Sequence, residues 1–120
     1  MPSSGSKTAA SPERLRRRYP RYRVDFPVVV SLLEGDQYRR LDGHCRDLSQ
    51  AGIGILLATE LNGGEVASLS FSLPNTSQPW EVRAVVRHRR GYHYGFEFLS
   101  LGDSQARWLK DYLAGKERAD

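Results

Sequence analysis

The sequence predicts an all-β domain with a C-terminal helix, specifically a six-stranded antiparallel β-barrel. Three observations carry this. Six short runs rich in Val, Ile, Leu, Phe and Tyr recur at steady spacing between turn signals, several of them alternate with period two, and the period changes to a helical one only after residue 100. A small open sheet of such strands would leave two bare edges, whereas a barrel closes them.

The first strand spans residues 22–33, with Val24, Phe26, Val28 and Val30 on one face and Pro27 suiting an edge or the early part of a strand. Glu34-Gly35-Asp36 is a turn. Residues 37–46 form a polar second strand whose apolar members are Tyr38, Leu41 and Cys45. Asp47 to Gly52 breaks that strand, and residues 53–58 read as a buried third strand ending toward the tight turn Asn62-Gly63-Gly64. Residues 65–73 make the fourth strand, with Val66, Leu69, Phe71 and Leu73 as its apolar set. Residues 74–79 are a loop. The fifth strand, 80–90, places Val82, Ala84 and Val86 on one face; after Gly91 the sixth, 92–99, places Tyr94, Phe96 and Phe98 likewise. Asp103 or Ser104 can cap a helix over 103–114 with Trp108, Leu109, Tyr112 and Leu113 as its apolar stripe and Gly115 at its end.

Within 120 residues this organisation predicts a disordered tail over 1–13, one domain over 14–114 (arm 14–23, barrel 22–100, helix 103–114) and a C-terminal tail over 115–120. Cys45 is the only cysteine, so no intrachain disulfide forms; with no secretory h-region and no apolar run long enough for a membrane span, a cytoplasmic protein without membrane insertion is expected. Charge is uneven. Residues 1–23 hold seven bases against Glu13, a net +6, while the other 97 hold eleven bases and thirteen acids, a net −2. A basic arm on a near-neutral body points to an anionic partner met at one place, and its arginines offer planar donor forks suited to phosphate and guanine edges.

Two segments carry the chemistry. In Arg16-Arg17-Arg18-Tyr19-Pro20-Arg21-Tyr22-Arg23, Pro20 precludes a continuous helix, so Arg17 and Arg21 are presented from irregular backbone. Composition alone leaves open a ligand-wrapping arm or a solvated basic linker. In Asp47-Leu48-Ser49-Gln50-Ala51-Gly52, aspartate can accept from guanine donors, serine can meet a phosphate or a base, and Gly52 allows unusual backbone angles or close approach. Equally, Asp47 and Ser49 can simply satisfy their own turn.

Together the two segments resemble the PilZ domain family, which pairs RxxxR before the first strand with (D/N)xSxxG roughly thirty residues later. Arg17 to Arg21 matches the first motif and Asp47 to Gly52 the second. The likeness continues through Ile53-Gly54-Ile55, the valine-rich fifth strand, Gly95-Phe96-Glu97-Phe98 and the terminal helix. The resemblance implies a six-stranded antiparallel barrel that binds cyclic di-GMP, often as an intercalated dimer of the ligand; no cofactor and no metal are expected. It assigns Arg17 and Arg21 to guanine edges and phosphates, with Arg16 or Arg18 reinforcing them, Asp47 and Ser49 to a guanine, and Gly52 to the turn. It also implies a fifth-strand contact, for which Arg87 is preferred over Arg89, the two sharing one strand face.

The expected mechanism is that ligand supplies counter-charge and stacking surface, orders the arm against the barrel, and so presents a surface to a downstream protein. A nucleic-acid-binding barrel is the distant rival, since the body is slightly acidic and Arg83 to Arg90 is its only basic stretch on a strand. A PilZ-like module serving only protein contacts is another. Catalysis is not expected: His44, Cys45, His88 and His93 lack metal-ligand spacing, and no nucleophile and base pair with Ser49. Trp80 and Trp108 are expected in the core, and Tyr19 and Tyr22 against the barrel mouth.

Overall fold

Branched and aromatic side chains at every second position make the first strand and aim one face inward. In the computed structural model, which describes residues 19–73 and 78–119, β1 runs Tyr22–Glu34 and buries Val28, Val30 and Leu32. A two-residue turn, with Gly35 at φ 63°, leads into β2, Gln37–Leu48. Left-handed backbone of this kind is natural for glycine and matches the strand twist. β3 (Gly52–Leu56), β4 (Val66–Phe71), β5 (Trp80–Arg90) and β6 (His93–Phe98) follow, then the helix α1, Asp103–Leu113.

All neighbours are antiparallel, and they close into a barrel in the order β1-β2-β3-β6-β5-β4. Closure rests on a short seam in which Val29, Val30 and Ser31 of β1 face Ser70, Leu69 and Ser68 of β4. Pro27 precedes that seam, at the edge-like start of β1. The interior is filled by Val28, Val30, Leu32, Cys45, Leu48, Ile53, Ile55, Leu69, Val86 and Tyr94, among others. Each fully buried aliphatic side chain contributes about 2 kcal/mol. Tyr94 keeps its polar end satisfied in the core: its hydroxyl accepts from Leu61 N at 2.9 Å and donates to Thr59 O at 3.0 Å, pinning the β3–β4 connection.

Two expected core positions are not core. Tyr38 is 68% exposed because it sits near the tip of the β1–β2 hairpin, opposite Leu33, beyond the stretches that β3 and β4 pair. Val66 is 42% exposed while Ala67 is buried, since Leu69, Phe71 and Leu73 set the inward phase at odd positions. The second strand also does not break at Asp47; it continues through Leu48.

The helix covers one end of the wall. Leu109 and Leu113 are buried, and an aromatic run passes from Phe26 to Phe71, Trp80, Trp108 and Tyr112 with centroid spacings of 5.1–6.1 Å. Its cap is Gly102, not Asp103 or Ser104: Gln105 Oε1 accepts from Gly102 N at 3.1 Å, and Asp103 lies in the first turn where its charge favours the helix dipole. The C-terminal residues, expected as a tail, turn back onto β1. Arg118 bridges Tyr22, Arg23 N donates to Glu117 O, and Ala119 N donates to Arg21 O, both at 2.8 Å. No helix among the described residues is long and apolar enough to cross a membrane.

Candidate functional site

The site is built by two β-bulges. Strict alternation from the buried Cys45 would turn Asp47 inward and Leu48 outward. The register slips between Cys45 and Asp47, so Arg46 is the extra residue, Leu48 points into the core, and Asp47 lies on the outer wall opposite Gly54. A second slip, between Val86 and His88 on β5, brings His88 out opposite Gly95. Bulges re-aim side chains in this way without ending a strand. The first one is stabilised from inside, where Cys45 Sγ donates to Asp47 O at 3.3 Å.

Gly54 and Gly95 face each other across β3 and β6. A Cβ on Gly54 would fall 2.4 and 2.6 Å from the two Asp47 carboxylate oxygens and 2.6 Å from His93 Nε2; a Cβ on Gly95 would fall 2.1 Å from His88 Nε2. The two glycines are therefore a floor on which a carboxylate and two imidazoles lie flat. Arg21, at the entry to β1, reaches over it. Its Nη1 is 3.9 Å from Asp47 Oδ1 and its Nη2 is 3.3 Å from His88 Nε2, while His93 Nε2 is 3.0 Å from Asp47 Oδ2. Asp47 is only 15% exposed and Arg21 24%. A surface pair of that length adds at most about 1 kcal/mol, so its significance is placement.

Of the residues singled out in the sequence, Arg21 and Asp47 meet. Ser49 is nearby but committed to its loop: its hydroxyl accepts from Ala51 N and Gly52 N, both at 3.0 Å, and its own N–H donates to Gly52 O at 2.9 Å. Gly52 is required by neighbouring backbone, because a Cβ there would fall 2.3 Å from Phe96 O. Arg16, Arg17 and Arg18 lie outside the described residues. Arg87 and Arg89 do not share a face. The β5 bulge leaves Arg87 outward, with Nε donating to Glu97 Oε1 at 2.6 Å, and sets Arg89 opposite Tyr94 with its guanidinium 5.3 Å from that ring. Tyr22 packs against the core, while Tyr19 is 42% exposed beside Gln50 and Ala51 at a cavity of about 230 Å³.

His88 and His93 were missed as site residues. Their sequence signal is faint: glycines at 54 and 95 inside strands imply something lying close on the outer face, but which side chain lies there depends on the bulges. Among the described residues no group of three or more His, Cys, Asp or Glu is placed to hold a metal ion.

The chain is thus a closed six-stranded barrel with an arginine-carboxylate-imidazole cluster on its outer wall, and the sequence ahead of β1 is basic. The PilZ domain description matches residues 15–115, and the chain belongs to that family. Solved structures agree in fold. The PilZ domain of YcgR from Escherichia coli, with c-di-GMP, superposes with a TM-score of 0.62 at 21% identity, covering 82% of this chain and 88% of that one. YcgR in complex with c-di-GMP gives 0.63 at 25% identity over 81% of this chain and 44% of that one. The Bacillus subtilis inhibitor of motility, MotI/DgrA, gives 0.62 at 21% identity over 82% and 49%. No curated protein sequence matches the chain.

Proposed function

We propose that this domain is a cyclic di-GMP receptor in which the arginine segment 16–23 and the 47–52 loop close over one site on the outer wall. The observation that carries the reading is the meeting of Arg21 with Asp47, the anchor residues of two separate motifs, above the Gly54–Gly95 floor. A guanidinium suits a phosphate or a guanine Hoogsteen edge, and a carboxylate suits the guanine N1–H and N2–H donors. That pairing is the chemistry c-di-GMP presents, and the YcgR structures with c-di-GMP support it.

In this reading Arg17 joins Arg21 on the ligand, and Arg16 and Arg18 add charge. Asp47 reads the base, Ser49 acts mainly by holding the loop, and Gly52 lets that loop dock on β6. His88, already in contact with Arg21, takes the fifth-strand position ahead of Arg87, whose guanidinium is engaged by Glu97. The phosphates and guanines of the ligand, two of each on one molecule or four of each on an intercalated pair, would draw the arm ahead of Arg21 against the barrel, and the closed surface would be read by a protein partner. The protein acts here as a receptor and not as an enzyme.

Calorimetry with cyclic di-GMP on the wild type, Arg21→Ala and Asp47→Ala tests the reading. Clear wild-type binding with strong losses in both variants is expected; a silent wild type would sink it and leave the fold intact. Backbone NMR of residues 14–20, ahead of the segment already paired with residues 117–119, with and without ligand tests the ordering step, which fails if their order is unchanged.

A further inference from the structure

His93 belongs to β6 and Asp47 to β2, and β3 runs between them. Strands two apart in a sheet lie roughly 9–10 Å from each other, and a side chain on the intervening strand normally blocks a bond across it. Here the intervening position is Gly54. Its missing Cβ would fall 2.6 Å from His93 Nε2 and 2.4 Å from an Asp47 oxygen, so only glycine leaves the corridor through which they meet at 3.0 Å.

We propose that His93 is a positioning residue for Asp47: its imidazole holds Oδ2 and thereby leaves Oδ1 facing Arg21 and the bound nucleotide. The inference rests on the cyclic di-GMP reading of the site. Asp47 Oδ1 is 3.9 Å from Arg21 Nη1, so that pair alone is too long to hold the carboxylate in one rotamer, whereas the His93 bond is of ordinary length. Neutral imidazole with the proton on Nε2 donates to the carboxylate, and so does imidazolium, so the bond survives either charge state. A carboxylate held by a partner from a third strand has its rotamer cost met before ligand arrives, which is the usual route by which an orienting residue raises affinity.

The test is calorimetry with cyclic di-GMP on the full chain as wild type, His93→Ala, His93→Gln and His93→Phe, with thermal melts of each. Gln keeps an N–H donor at about the reach of Nε2, whereas Phe keeps the flat ring without the donor. Loss of a bond to a charged acceptor predicts about tenfold weaker binding for His93→Ala and for His93→Phe. His93→Gln is expected near wild type, and all three are expected to melt close to it because the residue lies on the outer wall. Undiminished binding by His93→Ala overturns the proposal, as does rescue by Phe but not Gln, which would make the ring itself the ligand contact. A wild type that does not bind fails the receptor reading itself, an outcome distinct from variants that bind as the wild type does.

Discussion

Arg21 Nη2 lies 3.3 Å from His88 Nε2. A guanidinium has no acceptor, so His88 must accept at Nε2 and carry its proton on Nδ1. Long-range nitrogen–proton NMR on the ligand-free protein should show the Nδ1-protonated tautomer for His88. An Nε2-protonated ring would mean that the contact does not exist in solution.

The same contact ranks the fifth-strand residues. His88→Ala should weaken cyclic di-GMP binding by about tenfold, the scale of one stacked or bonded side chain. Arg87→Ala breaks an exposed pair with Glu97, both partners about half exposed, and should cost under about 1 kcal/mol in stability with little effect on binding. Titration calorimetry of both variants decides the order, and a larger loss for Arg87→Ala would reverse it.

Two glycines two residues apart should respond differently to the same substitution. At Gly52 the added Cβ meets the backbone oxygen of Phe96 at 2.3 Å, which cannot move without disturbing β6, so Gly52→Ala should destabilise by about 3 kcal/mol. At Gly54 it meets the ends of the Asp47 and His93 side chains, which can swing aside. Gly54→Ala should therefore leave the denaturation midpoint near wild type and impair binding. Chemical denaturation beside calorimetry separates the two outcomes.

The C-terminal residues hold the base of the arm. Ala119 N donates to Arg21 O, so Ala119→Pro removes that bond while leaving the barrel core untouched. The expected result is faster hydrogen exchange at the Arg23 amide, which bonds Glu117 O, together with weaker ligand binding through a less fixed Arg21. Unchanged exchange would show that this pairing does not constrain the arm.

Cys45 is buried, and burial, followed by the nearby Asp47 charge, pushes its thiol well above the ordinary range. Native protein should resist alkylation at mildly alkaline pH and react promptly once unfolded. The sign for stability follows: the folded state holds this proton more tightly, so the contribution is complete below the unfolded thiol's pKa of about 8.5 and declines as pH rises above it. Denaturation midpoints falling from pH 8 toward 10 in the wild type, but less steeply in Cys45→Ala, would bear this out.

Much of the barrel was legible from local pattern. The inward faces of β1, β5 and β6, the aromatic stripe of α1 and the glycine turns follow from alternation, period and backbone freedom, all of which act over a few residues. That Arg21 and Asp47 belong to one site was also expected, through the resemblance of their two motifs to the PilZ family rather than through any local pattern. What needed the tertiary structure was every feature set by register. Two bulges decide that Asp47 and His88 face outward, that Arg87 and Arg89 part company, and that His93 reaches Asp47 over Gly54. A bulge is chosen by how two strands fit against each other and against the core, and one inserted residue reverses every side chain beyond it. The pairing of residues 117–119 with β1 is of the same kind, since backbone bonds between distant segments leave no mark on the side-chain sequence of either.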